Sequence, residues 1–297
     1  MKKNTMILLG TLLLLAVAAY VVLQQPGETS STGGDGEMLA SYDSAAVDKL
    51  EIRTPAGTIT LVNEAGTWMI TSPGRYRADG PGVASAVGRG RNIRLTGLVS
   101  TNPEKQGVFQ VDSLGVHVTV FERGTATTGF VLGKPGPSWT ETYVRRDGST
   151  DVYLGEGPLT YLFSKPLSDW RERTILREPA GAITAVRYQY GDTSFTLQFR
   201  DSLWTVDGLP ANDAVARGVI SSLSDFRADG FLDTLTSPPG KPVALVTVGK
   251  TQVRFHFDKA ASRYAVQTSH DAQWYEIQSW KGEQVLKRKK EFVLPAP

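Results

Sequence analysis

The 297-residue chain is 40% hydrophobic and 21% charged, a composition that excludes a disordered tail and supplies material for about two domains. Its 32 Lys+Arg against 30 Asp+Glu leave a formal net charge of +2, so no nucleic-acid partner is expected. There is no cysteine and only three histidines, His117, His256 and His270, widely spaced, which excludes disulfides, thiolate metal sites and Cys nucleophiles and leaves no metal or cofactor expected.

Residues 6–23 read MILLGTLLLLAVAAYVVL, an uncharged run that as a helix would rise about 27 Å and predicts an N-terminal transmembrane helix. Lys2 and Lys3 ahead of it predict a signal anchor over 1–23, with the N-terminus in the cytoplasm and the body on the extracytoplasmic (periplasmic) side of the bacterial inner membrane. A signal peptide cleaved at Ala16-Val17-Ala18 is the alternative, disfavoured because Tyr20–Leu23 would remain exposed. Residues 24–44 begin QQPGETSSTGGDGE, a composition that predicts a flexible tether.

The soluble part carries an internal repeat. Val47–Trp68 aligns without a gap on Ile183–Trp204, at an offset of 136 residues. Apolar residues alternate in both stretches, and Ala65-Gly66 and Asp201-Ser202 fall where hairpin turns belong, so each copy is expected to open with a three-strand meander. Past it the offset becomes 133, and Ala78-Asp79 matches Ala211-Asn212, with Asp79 and Asn212 as N-caps of one helix per copy. Further strands are expected at Val116–Val120, Phe130–Leu132, Tyr143-Val144 and Val152–Leu154, matched by Ala244–Val248, Val253–Phe257, Tyr264–Val266 and Tyr275–Ile277. The expected fold is therefore α+β: two tandem, internally duplicated domains of antiparallel strands with a helix in each, at 45–178 and 179–297, divided where Pro179 and Gly181 interrupt regular structure.

Catalytic motifs are sparse. Gly249-Lys250-Thr251 resembles the end of a phosphate loop, but Ala244 stands where its first glycine is needed and the flanks read as strands, so a hairpin turn is expected. Gly88-Arg89-Gly90 lacks the third glycine of a dinucleotide fingerprint. Neither Gly-x-Ser-x-Gly nor Ser-x-x-Lys occurs, and no catalytic residue is assigned. Arg75, Arg77, Arg89, Arg91 and Arg94 concentrate positive charge around the first helix, a candidate surface for anionic lipid or an acidic partner against the plainer reading of a solvated face. Lys287–Lys290 forms a second basic run. Asp169, Trp170 and Arg171 stand near the domain junction, as a candidate interdomain lock with Trp170 as anchor. Trp68 and Trp204 share one repeat position and are expected in the core.

The N-terminal anchor, Val47–Ile52, Thr58–Leu61, Trp68, Ala78-Asp79, Phe109–Asp112, Leu132–Lys134, Tyr143–Arg145, Val152–Leu154 and Asp169–Arg171 together resemble a family of bacterial membrane-anchored proteins classed as a domain of unknown function. Its members are often encoded beside gliding-motility-type ABC transporter subunits. The resemblance covers residues 47–176 well and the second copy more loosely, and implies no catalytic residue or cofactor. It implies a non-enzymatic, membrane-anchored extracytoplasmic scaffold or binding protein, an accessory of an ABC-type transport or motility system with the membrane (through 6–23) and ABC-type membrane subunits as partners. The alternatives are an envelope hydrolase or glycan-processing enzyme with an unfamiliar site, and a module binding anionic lipid or polysaccharide.

Overall fold

The computed structural model describes residues 36–293. The chain divides into two compact units, Met1–Trp170 and Arg171–Pro297.

The first unit opens with a meander, β1 (Val47–Thr54), β2 (Gly57–Glu64), β3 (Thr67–Ser72) and the short β4 (Tyr76–Arg77). Alternation buries Leu50 and Ile52 of β1 and Leu61 of β2 on one face. Ala65 and Gly66 both hold positive φ in the β2–β3 turn, where Asn63 Oδ1 accepts from the Gly66 N–H. Helix α1 (Gly80–Arg91) follows, with Pro near its start and Val83, Ala86, Val87 and Gly90 on its buried face. After it come β5 (Leu95–Ser100), the short α2 (Gln106–Phe109), β6 (Val116–Glu122), β7 (Thr125–Pro135), β8 (Glu141–Arg146) and β9 (Val152–Glu156), then α3 (Leu159–Phe163) and α4 (Leu167–Trp170). The strands form one nine-stranded sheet in the order β4-β3-β2-β1-β6-β7-β8-β9-β5. Its apolar face and α1 share a core closed by Phe130, Phe163 and Trp170.

The second unit is built on the same plan. Strand β10 (Thr174–Arg177) precedes the meander β11 (Ala185–Tyr190), β12 (Thr193–Arg200), β13 (Leu203–Val206) and β14 (Leu209–Pro210). Helix α5 (Asp213–Ser224) is capped by Asn212, whose side chain accepts from the N–H groups of Ala214 and Val215. Then come β15 (Asp225–Arg227), β16 (Gly230–Phe231), β17 (Ala244–Val248), β18 (Thr251–Asp258), β19 (Arg263–Thr268), β20 (Tyr275–Gln278), α6 (Ser279–Val285) and α7 (Lys289–Phe292). The order β14-β13-β12-β11-β17-β18-β19-β20-β16 reproduces that of the first sheet strand for strand, while β10 pairs with β15 separately.

Hydrogen bonds extend the equivalence beyond the strands. Asp79 N–H donates to Trp170 O, and Asn212 N–H donates to Phe292 O. Trp170 is thus the counterpart of Phe292, and both are fully buried. Ahead of each meander, Leu95 N–H donates to Glu37 O as Ala228 N–H donates to Arg173 O.

The α+β class is corrected: the described residues are 45% strand and 21% helix, in two large antiparallel sheets. The helices are too short to form a layer of comparable weight, because apart from α1 and α5, of 12 residues each, none exceeds the 7 of α6. Each unit also holds more helices than the one expected. The fold as expected further included a membrane-spanning helix. Among the described residues no helix is long and apolar enough to cross a membrane, and the span expected over 6–23 lies outside them. Residues 38–42, assigned to a tether, pack instead: Leu39, Ala40 and Tyr42 are buried. The units divide at 170/171, where the sequence reading placed the division at 178/179, because β10 pairs within the second unit.

Candidate functional site

The first unit carries a polar hollow on the sheet face opposite its core. Side chains two apart on a strand share a face, which brings Glu51 and Arg53 of β1 beside Thr119 and His117 of β6; the register pairs Arg53 with His117 and Glu51 with Thr119. The next strand places Gly129, which has no side chain, opposite Thr119, and Glu51, Arg53, His117, Val118, Thr119, Phe130 and Asp147 line a cavity of about 230 Å³. A Cβ on Gly129 would stand 2.9 Å from that of Asp147.

Partners fix the tautomer of His117. Nε2 lies 2.8 Å from Asp112 O, which can only accept, so this nitrogen carries the proton. Nδ1 then accepts from Arg53 Nη2 at 3.3 Å. Both ring nitrogens are engaged, and Glu51 is met by Lys49 at 3.4 Å. The arrangement suits holding a small polar group of mixed charge and leaves His117 no free nitrogen for proton transfer. The register-equivalent positions of the second unit are Arg187, Gln189, Leu245, Thr247, Gln252 and Ser269, so Gln252 has a side chain where Gly129 has none.

The second unit carries an apolar pocket of about 270 Å³ between α5 and the meander. Ile183, Phe199, Trp204 and Ile220 line it, with Arg217 and Ser221 among the lining residues. The Phe199 and Trp204 rings lie 5.1 Å apart and Phe199 is partly exposed. Arg217 is ion-paired with Asp213 one helical turn back. The first unit has Asn63 for Phe199 and Ala84 for Arg217.

The five arginines singled out in the sequence are all exposed, but they do not form one cluster. Arg75 is held bidentately by Glu64 at 3.0 and 2.6 Å. Arg77 lies on β4 at one edge of the sheet order, whereas Arg94 precedes β5 at the other. Arg89, Arg91 and Arg94 stay together around the end of α1, and among the described residues none has a carboxylate within ion-pair distance. The basic run 287–290 is partly spent internally: Arg288 lies 3.9 Å over the Tyr190 ring, and Lys289 reaches Asp207 at 2.6 Å.

Trp170 and Arg171 are each anchored in their own unit. The Lys165 ammonium lies 3.6 Å over the Trp170 ring, where burial pushes its pKa down. Arg171 is buried, forks onto Asp233 at 2.7 and 2.8 Å, reaches Gln273 Oε1 at 2.7 Å and stacks 3.7 Å over Phe231. These hydrogen bonds hold the Asp233 carboxyl below the usual carboxylate range. Asp169 is exposed, and its backbone N–H donates to Pro166 O. His256 is buried, with Nδ1 3.0 Å from Gly240 O and its ring edge-on to Trp274; desolvation lowers its pKa.

The sequence reading missed both pockets. Replacement of Asn63 by Phe199 across the repeat was a visible signal for the apolar one. For the polar one, Glu51 and Arg53 alternate in plain view, but the register that sets Gly129 beside Thr119 is a property of the folded sheet.

The family model described as Domain of unknown function (DUF4340) matches residues 68–245, more than half of the chain. The chain belongs to this family. The DUF4340 match starts at Trp68 in β3 and ends at Leu245 in β17, so it takes in parts of both units, and the resemblance to an uncharacterised domain family holds. No curated protein and no solved structure matches the chain.

Proposed function

We propose that this DUF4340 protein is a non-enzymatic binding or scaffold protein that works outside the cytoplasm as an accessory of an ABC-type transport or motility system. The observation that carries this reading is the apolar pocket of the second unit. A concave, mostly apolar site with a few polar groups among its lining is the usual form of a binding site, and a partly exposed Phe beside a Trp is the kind of anchor that protein partners use. The occupied ring nitrogens of His117 favour binding over catalysis. Lys2 and Lys3 ahead of the apolar run 6–23 support the extracytoplasmic side, and the gene neighbourhood of the proteins it resembles supports the ABC-type link, an associational argument.

The test is a mild-detergent pull-down of the full chain from native membranes, read by mass spectrometry, beside Phe199→Ser and a pocket-filling Ser221→Trp. ABC-type membrane subunits should be recovered with the wild type and lost with both variants. Recovery of no such subunit, or equal recovery with the variants, would overturn the reading.

A further inference from the structure

The first unit exposes two large aromatic side chains that its core does not use. Trp139, between β7 and β8, is 80% exposed, and Tyr161 on α3 is 69% exposed. Singly, exposed aromatic residues are ordinary; what gives these two a meaning is the charge they stand beside.

Backbone contacts place both rings at the end of the unit that carries the unpaired arginines. Gly157 N–H donates to Thr140 O, next to Trp139, at 2.6 Å. Glu156 N–H donates to Arg94 O at 2.9 Å, and a Cβ on Gly157 would stand 3.1 Å from Arg89 Nη2. Tyr161 follows four residues after Gly157. The nearby acids do not pair with it: Glu37 is held by Arg146, and Glu141 accepts from Ser138 at 2.6 Å and Thr96 at 2.9 Å. Part of that charge suits the C-terminal end of the α1 dipole, but a helix dipole accounts for neither aromatic ring.

The chain outside the described residues also enters here. Gly36 N–H donates to Leu95 O at 3.0 Å and Leu95 N–H to Glu37 O at 2.8 Å, beside Arg94, and the apolar run 6–23 ends only 13 residues before Gly36. Whatever that run engages is therefore brought close to this end of the unit.

We propose that Arg89, Arg91, Arg94, Trp139 and Tyr161 form a face that docks on an anionic lipid bilayer. The guanidinium groups meet headgroup phosphates, and Trp and Tyr seat their apolar bodies at the headgroup level with their polar atoms in water. In the second unit the charge is thinner: Ser222 and Ser224 stand at the positions of Arg89 and Arg91 in the helix repeat, and Arg227 at that of Arg94. This inference is independent of the partner pocket, and either can fail alone.

The cysteine-free chain allows a site-specific test. The full chain, labelled with a fluorophore at Ser138→Cys or, for reference, at Asp192→Cys in the β11–β12 turn, is reconstituted with vesicles of phosphatidylcholine alone or with phosphatidylglycerol, each carrying a lipid-borne quencher. The label at 138 should be quenched on the anionic vesicles only, and the label at 192 on neither. Arg91→Ser should lower the contact equilibrium about fivefold, Arg91→Lys should retain it, and Trp139→Ser should weaken it. No quenching at 138, equal quenching without phosphatidylglycerol, or quenching unchanged in the Arg89→Ser/Arg91→Ser/Arg94→Ser variant would overturn the proposal. So would capture of a soluble anionic polysaccharide through the same arginines with no lipid contact.

Discussion

The two units share a strand order yet fill equivalent positions differently. In the first, Tyr42 reaches across to α1, where its hydroxyl donates to Val87 O at 2.6 Å, and Gly90 leaves it room: a Cβ there would stand 2.6 Å from the Tyr42 oxygen. In the second, the repeat offsets place Glu178 for Tyr42 and Leu223 for Gly90. A large residue entering from the leading segment is thus exchanged for a large residue on the helix. The same holds on the sheets, where Gly133 makes way for Phe109 O, at 2.2 Å from a would-be Cβ, and its register counterpart is the buried His256. The backbone plan tolerates these exchanges because packing constrains the volume at a place and not the element that supplies it.

The comparison is tested most strongly where the units agree. Trp170 and Phe292 both close a core, so Trp170→Ala and Phe292→Ala should each destabilise their own unit by about 3–5 kcal/mol in denaturant unfolding. A small cost for either would break the equivalence drawn from the backbone hydrogen bonds. Where the units differ, Gly90→Ala should cost about 1–3 kcal/mol by overpacking against Tyr42, with much of it recovered in Gly90→Ala/Tyr42→Ser; a cost unchanged by the second substitution would mean that Tyr42 is not what Gly90 accommodates. The smallest effect expected is a pH response of the second unit. Burial lowers the pKa of His256 in the folded state, so the unfolded chain binds more protons and stability falls as pH drops below about 6.5 toward the folded value. Comparing the pH dependence of unfolding with that of His256→Gln should show the slope reduced in the variant, and an identical slope would remove the assignment.

Much of the strand pattern could be read before folding. Helix α5 is α1 displaced by 133 residues and β12 is β2 displaced by 136, because alternation, turn residues and caps are local signals. The fold class was misjudged because strands such as β4, β14 and β16, of two residues each, are too short to leave a periodic trace yet extend each sheet. The equivalence of Trp170 to Phe292 is not legible in the sequence, because it runs through backbone bonds to Asp79 and Asn212 and nothing in the residue types announces it. Among the site residues, the charge on Arg89, Arg91 and Arg94 was legible; the pairing of Arg75 with Glu64 was not, since it depends on the β3–β4 turn folding back toward β2.

The segment leading into the first unit has a mechanical consequence. Leu39 N–H donates to Ile93 O, Arg146 grips the carbonyls of Met38 and Leu39 at 2.9 and 3.1 Å, and its guanidinium also holds the Glu37 carboxylate. A pull on the chain entering at Gly36 must break these bonds before tension reaches β1. Several bonds strained together resist far better than one at a time, so the segment acts as a clamp that keeps a tugged N-terminal end from peeling the sheet apart.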